Sequence, residues 1–403
     1  MNLKEFFWHA SRGHGECLLT LKNDDVFYYK DIVKNVFLNN YAFLLNDEYR
    51  SAYACELVSF FNDDEFYLKL LWNKINQLSI DDYYNFDYLI NNLYFLLEKN
   101  GLLDYEEKIK KLLIKHLNKN IFTSNENNSI CSIISLMLDL KLNINVEKII
   151  NDYYSEHKNS NLDLSNIKYY YSIVFLHEND SIKHENKLKS FDNLLELLSK
   201  DDANKMLPSI SYNLNDENIN TLLNYLDDIN INEVIKENIL KVILYSKRRS
   251  FKIENKLVDF YATATPKQKN IVCEIVSKTK SIKILTKLKS QKIEDSFWIR
   301  LTLNNYDENK YDELHQKIKK LNINYSNSNN WFEVENELIC YFKKRNIDKR
   351  LLVDLKYFLK NGLSSTSRYK IVIILNKYNM LSEQEIQYLK YDANYKIRQL
   401  FKN

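Results

Sequence analysis

Four glycines and two prolines in 403 residues leave this chain few ways to turn sharply. Average usage would supply roughly 28 and 20. Hairpin turns, barrel corners and phosphate-cradling loops draw on glycine for positive φ and on proline for a fixed one. A chain short of both is expected to be all-α, with helices joined by short polar turns and no sheet. Asn and Asp stand in where a left-handed residue is needed.

Such a chain must still bury its helices. Hydrophobic residues make up 45% of it, with 30 Tyr and 20 Phe, too much apolar surface for a disordered chain. At 403 residues it exceeds the usual size of one core. The charge pattern suggests an acidic helical-repeat half over residues 1–230 and a second half over 231–403 holding a basic segment at 241–292. One continuous solenoid is the other arrangement that fits. The abundant Asn carries no functional weight, because an AT-rich coding sequence produces it unaided.

The apolar spacing places the helices. Tyr67, Leu68, Leu71, Trp72 and Ile75 share one face of a helix over 64–75 at the three-to-four residue period. Phe86, Leu89, Ile90, Leu93, Leu96 and Leu97 repeat the stripe and run into Asn100-Gly101, a helix stop. Leu351, Leu352, Leu355, Phe358 and Leu359 do the same before Asn361-Gly362. Thr265 followed by Pro266, and Ser382 with Glu385, are helix starts. Longer polar links at 118–128, 155–162 and 322–330 are expected joints.

The stretch NDEYRSAYACELVSFFNDDEFYLKLLWNKI, a helix, an acidic turn and a second helix, resembles one unit of the HEAT or armadillo class of α-solenoids. That resemblance is one of pattern. It implies a curved helical scaffold with an extended binding face, and no chemistry.

One segment concentrates the rare residues: His9-Ala10-Ser11-Arg12-Gly13-His14-Gly15-Glu16-Cys17. It admits four readings. His9, His14, Cys17 and Glu16 are residue types that ligate metal, although their spacing matches no established zinc arrangement. Cys17 beside His14 near a helix start is a candidate nucleophile. Arg12, His14 and Glu16 are candidate recognition residues for a partner. The remaining reading is a tight turn between helices, its glycines admitting a close backbone, Arg12 and Glu16 pairing four apart, and Cys17 entering the core.

Charge is distributed unevenly. Residues 1–100 hold 9 Lys or Arg against 15 Asp or Glu, a net −6, whereas residues 241–292 hold 14 against 3, a net +11. Within the latter, Lys247, Arg248 and Arg249 form a run, and Lys278, Lys280, Lys283, Lys287, Lys289 and Lys292 line the polar side of a helix whose apolar side is Ile282, Leu285 and Leu288. Such a stripe fits an acidic protein surface or nucleic-acid phosphates, or simply a solvated face. The Tyr169-Tyr170-Tyr171 run is able to stack on bases or anchor an interface, and within a helix it is also ordinary core packing.

Five cysteines, an odd number without paired spacing, point to a reducing, cytoplasmic setting. The start MNLKEFFWHASRGHGE lacks the apolar core of a signal peptide. Tyr169 to Leu176 and Ile371 to Leu375, the longest apolar stretches, fall short of the roughly 18 residues of a membrane span. Walker, dinucleotide, HExxH and GxSxG signatures are absent from the sequence, and phosphate loops need glycine. The expectation is a non-enzymatic scaffold for a protein partner, with nucleic-acid binding through 241–292 as the alternative, a metal or Cys/His site at 9–17 behind both, and no cofactor.

Overall fold

The computed structural model describes residues 1–42, 49–78, 82–101, 105–118, 124–142, 144–156, 194–200, 207–208, 210–212, 214–246, 251–277, 279–289, 293–321, 328–343 and 347–402. All regular secondary structure among them is helical, as the shortage of glycine and proline requires. No helix among them is long and apolar enough to cross a membrane.

The chain forms two compact units. The first joins Met1–Asp180 to Leu359–Asn403, and the second is Ser181–Phe358, so the second is inserted into the chain of the first. This division differs from the expected halves at 1–230 and 231–403, because contacts between the two ends of the chain are invisible to a boundary drawn from local charge.

In the first unit, α1 (Leu3–Ala10), α2 (Glu16–Asn23), α3 (Lys30–Leu38), α4 (Tyr49–Ser59), α5 (Asp64–Gln77), α6 (Tyr83–Asn100), α7 (Tyr105–Leu117), α8 (Ser124–Asp139) and α9 (Val146–Glu156) follow in order. α5 packs on α6, and α7 on α8. Second neighbours pack too: α1 on α3, α2 on α4, α4 on α6, and α6 on α8. The core runs from Phe6 to Tyr153 and takes in Ala393 from the C-terminal segment. Tyr67, Leu68, Leu71 and Ile75 are buried as their spacing required, with Trp72 half-buried against the same core. Gly101 ends α6 at φ +81°, a conformation that side chains resist.

In the second unit the core is built from residues between Leu194 and Leu301. The Pro266–Val276 helix packs on Glu233–Ser246 and on Phe251–Tyr261, and Asp295–Asn304 packs on Ser328–Tyr341. Thr265 caps the first of these helices reciprocally with Gln268, and Ser382 does so with Glu385 in the C-terminal segment of the other unit. Of the expected joints, 118–128 is shortened because α8 already begins at Ser124, and 322–330 because a helix begins at Ser328. Residues 157–162 of the third lie outside the described residues, as does the Tyr169-Tyr170-Tyr171 run. The Leu352–Asn361 helix ends where the Asn361-Gly362 stop was expected.

Candidate functional site

The His9–Cys17 segment is where the start and end of the chain meet. α1 closes through a paired C-terminal motif: the N–H of His14 donates to His9 O and that of Gly13 to Ala10 O, both at 3.1 Å, with Gly13 at φ +72°. That is the geometry in which a left-handed glycine recovers two orphan carbonyls. The remaining carbonyls of the turn are satisfied by side chains from afar. Arg50 of α4 donates through Nη2 to Ala10 O at 3.2 Å and also to Ser11 O. Arg368 donates through Nη2 to Arg12 O at 3.1 Å and Gly13 O at 3.2 Å. Tyr53 Oη donates to His14 O at 2.6 Å, and the N–H of Ala393 to Gly13 O at 2.9 Å. Guanidinium groups at this end also complement the negative pole of the helix dipole.

Arg368 is itself held. It lies on the Ser365–Lys377 helix, is 1% exposed, and grips Asp392 through Nε to Oδ2 at 2.6 Å and Nη2 to Oδ1 at 3.1 Å. Asp392 Oδ1 accepts the N–H of Asn394 at 2.9 Å as well. A second fork ties the same segment to α4: Arg398 Nη1 and Nη2 reach Glu56 Oε1 and Oε2 at 2.7 and 2.8 Å. Bidentate pairs of this kind fix orientation as well as charge.

Both glycines of the turn are required by this docking. A Cβ on Gly13 would stand 2.4 Å from Ala393 Cβ and 2.7 Å from Arg50 Nη1, and one on Gly15 would stand 1.9 Å from Tyr388 O. The latter neighbour is main chain and cannot swing aside. The sequence reading of a tight turn with a close backbone approach therefore matches the structure, and the strand of chain that approaches is residues 388–393.

The chemically capable side chains point inward. Burial, then the nearby Arg368 cation, hold the His14 imidazole well below its usual range, and burial foremost brings His9 down to about 4. The rings stand edge to face at 4.9 Å. Glu16 Oε2 lies 3.2 Å from His9 Nδ1 without hydrogen-bond alignment, and burial raises the Glu16 carboxyl above its usual value. Cys17 is fully buried, its thiol pushed up by burial and directed at Phe6 O, 3.5 Å away. A thiol so placed is the opposite of an activated nucleophile. Among the described residues no three His, Cys, Asp or Glu side chains are gathered to hold a metal ion. Of the candidate recognition residues, Arg12 and His14 are 5% and 7% exposed, and the Arg12 guanidinium lies 3.1 Å from the Trp8 ring centroid. Arg50, Arg368 and Asp392 went unremarked in the sequence, because nothing near them in the chain marks them.

In the basic segment, Lys247, Arg248 and Arg249 lie outside the described residues, as do Lys278 and Lys292. Lys283, Lys287 and Lys289 lie on the Ile282–Lys289 helix, which buries Ile284 and Leu288, and Lys280 stands just ahead of it. Lys287 donates to Asn255 Oδ1 at 3.0 Å and pairs with Asp259, both on Phe251–Tyr261. Lys280 donates to the Asn304 carbonyl, and Lys283 is exposed. Lys256 and Lys267 likewise pair with Asp227 and Glu237. Much of the positive charge thus knits neighbouring helices of the second unit together.

The opposite arrangement occurs just beyond α2. The turn Val26–Tyr29, capped by Asp25, leaves Phe27 66% and Tyr28 56% exposed, while Tyr29 is buried and donates to Met1 O at 2.7 Å. The chain has no significant match among protein-family models, curated proteins or solved structures.

Proposed function

We propose that this protein is a non-enzymatic helical scaffold, an irregular HEAT-like solenoid of antiparallel hairpins that binds a protein partner over its helical surface. The observation that carries this reading is an inversion of exposure. The residues with the chemistry of a catalytic or metal site (His9, His14, Cys17) are buried and neutral and sit in a junction of the fold, whereas large aromatic side chains stand in solvent. Exposed aromatics of that size are what protein interfaces use as anchors. Packing of α4, α6 and α8 on one another as successive second neighbours supports the stacked-hairpin part, since hairpins stacked in series bring alternate helices together.

Affinity purification of the tagged chain from its native cells, with and without nuclease, tests the reading. A stoichiometric protein that survives nuclease is expected. Nuclease-sensitive nucleic acid in its place would overturn it and return the basic segment at 241–292 to first rank.

A further inference from the structure

We propose that the aromatic surface formed by Phe27, Tyr28, Phe61 and Phe66 docks a basic segment of a partner protein that carries an apolar anchor side chain. This inference rests on the scaffold reading and names the partner's chemistry.

Geometry joins two stretches of chain here. Phe27 meets Phe61 edge to face at 6.2 Å, and the Lys30 ammonium lies over both Phe27 and Phe66, 5.8 and 5.4 Å from their centroids. Phe61 and Phe66 are half-buried, so the patch is anchored in the core while Phe27 and Tyr28 project from it. Beneath lies Tyr67, fully buried and in ring contact with Phe61 and Phe66 at 6.0 and 5.4 Å. An apolar side chain seated on this surface would remove Phe27 and Tyr28 from water, which favours docking in proportion to the area covered.

Charge selects the occupant. Residues 24–31 and 59–66 contain Asp24, Asp25, Asp31, Asp63, Asp64 and Glu65 against Lys30 alone. Asp64 is paired with Lys99 at 2.7 Å and Glu65 with Lys69 at 2.7 Å. Asp25 and Asp63 are fixed in place as caps, their carboxylates accepting the N–H groups of Phe27 and Phe66 at 3.0 and 3.3 Å. Asp63 and Asp31 both act on the Tyr67 phenol, which burial first and these carboxylates second push up to about 12. Asp63 immediately precedes the helix that carries Phe66 and Tyr67, and Asp31 follows Lys30 in the chain. The Tyr67 hydroxyl has no hydrogen-bond partner among the described residues. Aromatic rings able to face an ammonium, bordered by Asp25, Asp31 and Asp63, which outnumber the single Lys30, favour lysine or arginine and repel acidic chains.

The probe is a short fluorescein-labelled peptide alternating lysine and tryptophan, followed by fluorescence anisotropy. Control peptides carry serine for tryptophan or glutamate for lysine. The lysine–tryptophan peptide is expected to bind the full chain more tightly than either control, and less tightly as salt rises. Phe27→Ser with Tyr28→Ser is expected to weaken it about tenfold at unchanged charge. The triple change Asp25→Asn, Asp31→Asn, Asp63→Asn, which preserves both caps, is expected to weaken it by a similar factor at low salt. Far-UV circular dichroism checks that both variants are folded; a Tyr28→Ser single variant serves if the aromatic pair proves unstable. Equal binding by wild type and the aromatic variant, or by the lysine and glutamate peptides, overturns the proposal. So does concentration-dependent self-association abolished by Phe27→Ser, which would make a second copy the occupant. In native cells, a stoichiometric partner retained by the aromatic variant removes this surface but leaves the scaffold reading intact. Absence of any nuclease-resistant partner from wild type removes both.

Discussion

Residues 9–17 and residues 24–31 are separated by one helix and differ in almost every physical respect. The first stretch is polar, rich in residues that do chemistry, and buried: Ser11, Arg12 and His14 are all under a tenth exposed. The second is aromatic and stands in water at Phe27 and Tyr28. Ordinary patterning would invert this. The polar stretch can be interior because every carbonyl from Trp8 to His14 receives a hydrogen bond, which meets the main cost of burying it. Nothing comparable compensates the aromatic stretch. In this chain, chemical capability marks the architecture and apolar exposure marks the candidate surface.

The contrast breaks first at the junction. Gly15→Ala meets main chain at 1.9 Å and is expected to be the most disruptive single change, undocking residues 388–393 and costing more than about 4 kcal/mol. Asp392→Ala should follow at about 3 to 5 kcal/mol, because it removes the carboxylate that grips the buried Arg368 cation. Trp8 and Trp72 report the first unit and Trp298 and Trp331 the second. With the latter pair changed to Phe, denaturant unfolding followed by tryptophan fluorescence isolates the first unit. A loss below about 1 kcal/mol for Asp392→Ala would show that the junction is not a stabilising centre.

A pH titration sharpens the same point. His9 titrates at about 4 in the folded chain against 6.5 unfolded, so the unfolded state binds the extra proton between those values. Stability should be flat above about pH 6.5 and fall as the pH drops towards 4, by roughly 2 kcal/mol at pH 5 from His9 alone. His14, shifted the same way, adds to the loss. Glu16 opposes it: its raised folded value means the folded chain holds the proton longer, and its contribution grows on acidification. Unfolding midpoints of wild type and His9→Gln between pH 7 and 5 should diverge, the variant showing the shallower slope. Parallel slopes would mean that His9 takes up its proton alike in the folded and unfolded chain.

Glycine substitutions grade the cause. Gly101→Ala meets no atom within 4 Å, so its φ of +81° is the whole difficulty, about 1 to 3 kcal/mol. Gly13→Ala suffers both strain and contact and should fall between Gly101→Ala and Gly15→Ala in thermal midpoint. The smallest effect on stability belongs to the exposed side: Phe27→Ser and Tyr28→Ser are expected to cost within about 1 kcal/mol while weakening peptide binding. A large loss of stability there would move these residues from surface to core.

What could be read in advance follows the range of the forces involved. The all-helical class, the stripe over Tyr67 to Ile75, the stop at Gly101 and the starts at Thr265 and Ser382 all rest on interactions within a turn or two of helix, so a few contiguous residues carry them. The rare-residue segment at 9–17 was visible, and so was its reading as a close turn. Its partners were not. Arg368 and Asp392 lie more than 350 residues downstream, the first on the Ser365–Lys377 helix and the second in the link before Tyr395–Leu400, where the local pattern is unremarkable, and their meeting with Gly13 and Gly15 depends on how the whole first unit packs. The basic stretch at 241–292 was visible as charge, but the pairing of Lys287 with Asp259 is settled by which helix lies alongside. Local sequence thus determined the elements and their ends through short-range hydrogen bonding and amphipathic period. Only the tertiary structure decided which polar groups became interior, which charges were spent between helices, and which aromatic rings were left in water, because each of those depends on neighbours that the chain brings together only by folding.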